Sequence, residues 1–225
     1  MTDRTLIGLS GPDAHDFLQR LVTNNVPTTA HDLVYAALLT PQGKFIADFF
    51  MSMRDAVILI DVASPHAPTL AQRLSMYKLR ADTALWPTRV ILPSAGGYMT
   101  TSNRSDDTNW DALRVEHIIP ETGIELTPDT YILEAGFERL NGIDFRKGCY
   151  VGQEIAARMK HKTELRKGLT QVTITGSAPV GSDITADGKP AGTLFTQSGG
   201  RALAYLRFDR ATGDMKAGDA HLHRP

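Results

Sequence analysis

One stretch gathers residues that could do chemistry: Lys147-Gly148-Cys149-Tyr150-Val151-Gly152-Gln153-Glu154. It holds the only cysteine of the 225-residue chain, with Arg146 and Lys147 leading into the glycine and Gln153 and Glu154 closing the run. Glycine tolerates positive φ and the close approach of other groups, so a Gly-Cys-aromatic-x-Gly run predicts a backbone bent to present one thiol. Two neighbouring cations, and a helix expected to open at Gln153-Glu154-Ile155, would favour the thiolate and lower its pKa. A thiolate is a nucleophile and a metal ligand. The alternative is a small buried hydrophobe, which free cysteines very often are, and the residues alone leave both readings open.

Charge marks the same region. Between Arg146 and Gly168 seven basic side chains (Arg146, Lys147, Arg158, Lys160, Lys162, Arg166, Lys167) face Glu154 and Glu164, a local charge of +5 that leaves −6 for the rest. Either an anionic ligand meets this face, or the run is a solvated helix end and linker. A single cysteine excludes an internal disulfide framework and, by itself, a cysteine-ligated zinc or iron–sulfur site. His221 and His223 lack a nearby third ligand, so no metal site is expected and the tail is read as frayed. The net charge of −1 gives no global field toward nucleic acid or membrane. The thiol implies a reducing compartment, no secretory signal is evident at Met1-Thr2-Asp3-Arg4-Thr5-Leu6-Ile7, and no apolar run is long enough to span a bilayer. A cytoplasmic protein is the expectation.

Elements must position these groups. Pro12 and Asp13 suit a helix start, and Ala14, Phe17, Leu18, Leu21 and Val22 recur at helical spacing. Thr23-Asn24-Asn25 would end that helix, the asparagines either capping it or touching a ligand. Residues 33–39 and 45–51 flank Pro41-Gln42-Gly43-Lys44 and read as a hairpin, followed by a strand from Ala56 to Val62 and a helix from Ser64-Pro65 to about Arg80. Beyond Leu85 the pattern weakens, leaving a strand at Arg89-Val90-Ile91-Leu92 and a polar loop from Thr100 to Asn109. Thr127-Pro128-Asp129 predicts a helix running through Leu133-Glu134-Ala135-Gly136, and Asn141-Gly142 a turn before the cysteine. From Leu169, short alternating runs with Asp187-Gly188 and Gly199-Gly200 turns predict an antiparallel barrel or sandwich. The class is α+β with a small β domain. No G-x-G-x-x-G or Walker A loop occurs, so nucleotide binding through either is unsupported.

The Lys147–Glu154 stretch resembles the signature of the YgfZ family, folate-binding proteins of iron–sulfur cluster assembly and repair related to the aminomethyltransferase (T-protein) of glycine cleavage. Asp16-Phe17-Leu18-Gln19 with Thr23-Asn24-Asn25, Pro41-Gln42-Gly43-Lys44, Tyr77-Lys78-Leu79-Arg80-Ala81-Asp82, Ala156-Ala157-Arg158 and Arg166-Lys167-Gly168-Leu169 also resemble family patterns, over about residues 5 to 210.

The resemblance implies a T-protein-like fold, with interleaved α+β subdomains around a central folate channel and a C-terminal antiparallel β-barrel. It places a folate-binding body at residues 1–165 and the barrel at 166–225. It implies tetrahydrofolate, or a one-carbon derivative, as cofactor. Glu134 corresponds to the carboxylate that binds the pterin, whose 2-amino-4-oxo edge offers adjacent N–H donors to two acceptor oxygens; without the family, Glu134 reads as an exposed helix residue. Arg158 is assigned to the anionic glutamyl tail, and Gly148, Tyr150 and Gln153 to the cofactor's surroundings. Cys149 is the reactive group, with Lys147 beside it.

The function so implied is assistance to iron–sulfur assembly or repair on client enzymes, tRNA-modifying ones included, by a monomer that meets client or cluster-carrier proteins and neither membrane nor nucleic acid directly. The alternative is folate-dependent aminomethyl or methyl transfer. The chain is much shorter than the T-protein and that enzyme's catalytic aspartate is not placed among these motifs, so turnover is left open. An RNA-binding module is the third possibility, weakened because Tyr150 is the one aromatic near the cations.

Overall fold

In β3 (Phe45–Arg54) side chains alternate between the two faces, so Phe45, Ala47, Phe49 and Met51 are buried while Ile46, Asp48 and Phe50 are not. This period of two sets the register of an antiparallel sheet in the computed structural model, which describes residues 3–88, 108–162 and 165–224. The sheet runs β2-β3-β4-β1-β5, from β1 (Arg4–Ser10), β2 (Val34–Leu39), β4 (Val57–Ala63) and β5 (Ala84–Thr88). Two helices cover it. α1 (Ala14–Gln19) contributes Phe17 and Leu18, and α2 (Ala67–Lys78) contributes Leu70 and Leu74, to one apolar core with Ile7, Leu9, Phe49, Ile58 and Ile60.

These elements and residues 141–153 form one compact unit. The second comprises residues 108–140 with 154 onward. It contains α3 (Trp110–His117), most of α4 (Gln153–Lys162) and strands β6 (Lys167–Thr175), β7 (Asp183–Ala186), β8 (Lys189–Ser198), β9 (Arg201–Arg207), β10 (Met215–Ala217) and β11 (Ala220–His223). The six strands close into a barrel in the order β10-β11-β6-β9-β8-β7, filled by Val172, Ile184, Leu194, Leu206, Met215 and Leu222. Closure leaves no free sheet edge.

The hairpin at residues 40–44, the strand after it, the helix ending at Lys78 and the C-terminal β domain stand as expected. The sequence pattern missed β1, which pairs with both β4 and β5 in the first sheet, along with β5 and α3. Asn109, assigned to a loop, caps α3, its side-chain oxygen accepting the Ala112 N–H at 3.0 Å. Two expectations are corrected. Residues 127–140 form successive turns instead of a helix: Glu134, Ala135 and Gly136 donate to carbonyls three residues back, and Gly136 takes φ 81°, which stops helical propagation. The tail is not frayed, because β11 pairs with both β10 and β6 and buries Ala220 and Leu222 while His221 and His223 face outward. The strand expected at residues 89–92 and the loop at 100–107 lie outside the described residues.

Candidate functional site

The thiol loop is braced from below. Thr23, fully buried, donates its hydroxyl proton to Gly142 O at 2.6 Å and accepts the Ala37 N–H at 2.9 Å, while its own carbonyl accepts Asp144 N–H at 3.0 Å. Asn24 Nδ2 donates to Asn141 O at 2.6 Å and Asn25 Nδ2 to Asp144 Oδ2 at 2.6 Å. The Thr23-Asn24-Asn25 run is therefore a clamp on residues 141–144, not a helix cap.

Lys147 is buried. Its amine donates to the carbonyls of Gln19, at 2.8 Å, and Val22, at 2.5 Å, and lies 5.2 Å from the Tyr150 ring centre. A cation suits the carbonyl end of α1. Burial lowers its pKa to about 8, against an opposing pull from Asp144. Its charge is thus directed at backbone carbonyls and an aromatic face. Tyr150 is buried too, and burial, followed by the Asp144 charge, pushes its phenol up to about 12.

Cys149 is exposed, which overturns the buried-hydrophobe reading. The two glycines of the loop differ in kind. A Cβ on Gly152, at φ +83°, would stand 2.7 Å from Thr40 O and 3.2 Å from Gly43 Cα, so the loop rests directly on the hairpin turn at residues 40–44. A Cβ on Gly148 would meet nothing within 4 Å. Steric need explains the first glycine and leaves open space beside the second, next to the thiol.

The second unit holds a cavity of about 570 Å³ with Glu134 in its wall. Glu134 is buried, and its Oε2 accepts a hydrogen bond from the Tyr205 hydroxyl at 2.5 Å, while Oε1 lies 3.8 Å from Lys167 Nζ. Burial, then the hydrogen bond to Glu134 and its charge, drive the Tyr205 phenol far above its ordinary range, so it remains a donor. A carboxylate has about four acceptor positions; Tyr205 uses one. Arg166, Lys167, Arg207 and Arg210 line the cavity along with apolar Met159, Leu165 and Pro190. An acceptor deep in a wall and several cations around it suit a ligand with an N–H edge at one end and anionic groups at the other.

The local sequence builds this arrangement. Leu169 N–H donates to Glu134 O at 2.7 Å, and Leu169 pairs with Tyr205 on the neighbouring strand, so backbone and side chain of Glu134 are tied to register partners on β6 and β9. The Arg166-Lys167-Gly168-Leu169 run supplies a cation, a close approach and a donor in succession.

Of the residues singled out from sequence, Lys147, Gly148, Cys149, Tyr150 and Gln153 share one loop of the first unit, with Gln153 N–H donating to Tyr150 O at 3.2 Å. Glu134 lies in the second unit, buried where the sequence alone suggested an exposed helix position. Arg158 is exposed on α4 and is not among the residues lining the cavity. Sequence reasoning gave no role to Tyr205, Arg207 or Arg210. The available signal was Tyr205 and Arg207 alternating along β9 with Ala204 and Leu206, which point into the barrel, and Arg210 just after the strand.

Residues 166–224 match the family model described as CAF17, C-terminal beta-barrel domain. The chain is 30% identical over 248 residues to the Neurospora crassa protein named iron-sulfur cluster assembly factor IBA57 homolog, mitochondrial, covering 84% of this chain and 56% of that protein. Its relatives are iron–sulfur cluster assembly factors. The mouse and human proteins of that name are 26% and 25% identical, each match covering 94% of this chain and 78% of the relative. The chain thus spans little more than half the length of the Neurospora protein. Among solved structures, the glycine cleavage system aminomethyltransferase T from Bartonella henselae superposes with a TM-score of 0.77 at 13% identity, covering 98% of this chain and 83% of that one. The fold is that of the aminomethyltransferase, α+β with a closed six-stranded C-terminal barrel.

One expectation is overturned by these comparisons. The relatives are named mitochondrial, which points to a mitochondrial and not a cytoplasmic location. A lone thiol reports a reducing compartment and does not say which one. No helix among the described residues is long and apolar enough to cross a membrane.

Proposed function

We propose that this protein binds a tetrahydrofolate through Glu134 and, with the Cys149 thiol, assists the assembly or repair of iron–sulfur clusters on client enzymes, tRNA-modifying enzymes among them. The observation that carries the reading is the buried Glu134 carboxylate, aimed by Tyr205 and set in a cavity lined by four cations. Glu134 would accept the donor edge of the pterin, and Arg166, Lys167, Arg207 and Arg210 would meet the glutamyl carboxylates. Bound reduced folate supplies one-carbon or reducing chemistry. The YgfZ-type resemblance of residues 147–154 and the names of the relatives support the iron–sulfur role.

Cys149 stands exposed on a braced loop, where a partner protein can reach it. One thiolate cannot hold a cluster alone, so any cluster at this loop is cargo shared with a partner's ligands. Cells lacking the protein test this part directly. Wild type restores cluster-enzyme activity and Cys149→Ala does not; full restoration by the alanine variant removes the thiol from the account.

A further inference from the structure

Glu134 is fixed at both ends by one pair of facing barrel residues. Its carbonyl oxygen accepts the Leu169 N–H at 2.7 Å and its carboxylate accepts the hydroxyl of Tyr205, which pairs with Leu169 in the β6–β9 register. Among the described residues Tyr205 is the one hydrogen-bond donor to that carboxylate. Lys167 is nearby, but at 3.8 Å and with 46% of its side chain exposed it supplies charge without direction. A glutamate has three side-chain torsions, and only a directed bond sets which way the free lone pairs of Oε1 face.

We propose that Tyr205 is a positioning residue: by holding Oε2 it aims Oε1 into the cavity and so sets the pocket's preference for a ring that carries an exocyclic amino group beside a ring N–H. This inference rests on the folate reading of the same cavity. It adds the residue that turns a buried charge into a selective acceptor. Burial of Tyr205 and its contact with a carboxylate keep the phenol protonated, so its proton stays available to hold Oε2.

The test uses two probes, 5-formyltetrahydrofolate and its 2-desamino-2-methyl analogue, titrated calorimetrically into the full chain. Wild type prefers the parent by about 10- to 100-fold, the range of one hydrogen bond to a charged group. In Tyr205→Phe that preference collapses toward unity, mainly through loss of parent affinity. Tyr205→Phe combined with Glu134→Gln binds the parent no more weakly than Glu134→Gln alone, as expected when one residue acts through the other. A Tyr205→Phe variant that keeps the wild-type preference overturns the inference, including the case in which both probes weaken together as a general structural defect would make them. Wild type that binds the parent without preferring it also overturns the inference, while leaving a folate site standing. Wild type that binds neither probe overturns the folate reading and the inference with it.

Discussion

Gly168 passes so close to Glu134 that a Cβ on the glycine would stand 3.0 Å from the Glu134 carbonyl oxygen. The contact lets the Leu169 N–H reach that oxygen, and through it the barrel fixes the backbone that carries the carboxylate. Gly168→Ala should therefore destabilise the protein by about 1–3 kcal/mol, as overpacking does. It should also weaken folate binding beyond what the loss of folded protein explains. Urea unfolding alongside titration of the folded fraction measures both effects.

The two glycines beside the thiol should behave oppositely. Gly152→Ala places a side chain at φ +83° and 2.7 Å from a backbone oxygen, at a cost of about 2–4 kcal/mol. Gly148→Ala meets open space and should stay within about 0.5 kcal/mol of wild type in stability. Its effect should appear only in the cell-based cluster-enzyme assay, if a partner or ligand approaches at that point.

Much of the site was legible because the chemistry sat in contiguous runs. The thiol loop, the turn at residues 40–44 and Arg166-Lys167-Gly168-Leu169 were all marked from sequence, and each makes a contact that explains its residue types. Glu134 was marked by resemblance alone, because the turns that bury it lack a helical period. Tyr205 was not legible, since its partner lies 71 residues away and its strand looks like any other barrel strand. β1 was missed for a related reason. Its Arg4 pairs with Asp61 on β4, a long-range tie that gives a seven-residue N-terminal segment no local signature.

Thr23 should prove essential to loop order. Thr23→Val removes a donor from Gly142 O and an acceptor from Ala37 N–H in a fully buried place, at a cost of about 1–3 kcal/mol. Hydrogen exchange at Asp144, whose N–H donates to Thr23 O, should accelerate more than exchange within the barrel.

Lys147 gives a pH signature with a definite sign. Its folded value, about 8, lies below the ordinary 10.5, so between those limits the unfolded chain holds more protons than the folded one. Stability contributed at this residue therefore rises as pH increases through that window. The unfolding free energy of wild type relative to Lys147→Met should climb from pH 8 to 10. A flat or falling difference would show that the two carbonyl contacts hold the ammonium charged throughout.

The most direct test of the account is a calorimetric titration of the full chain with 5-formyltetrahydrofolate, run in parallel on Glu134→Gln. Wild type should bind saturably, one to one, and the variant at least about tenfold more weakly, because its amide turns an N–H toward the ligand's own donors. Absence of binding by wild type, or equal binding by both, would contradict it.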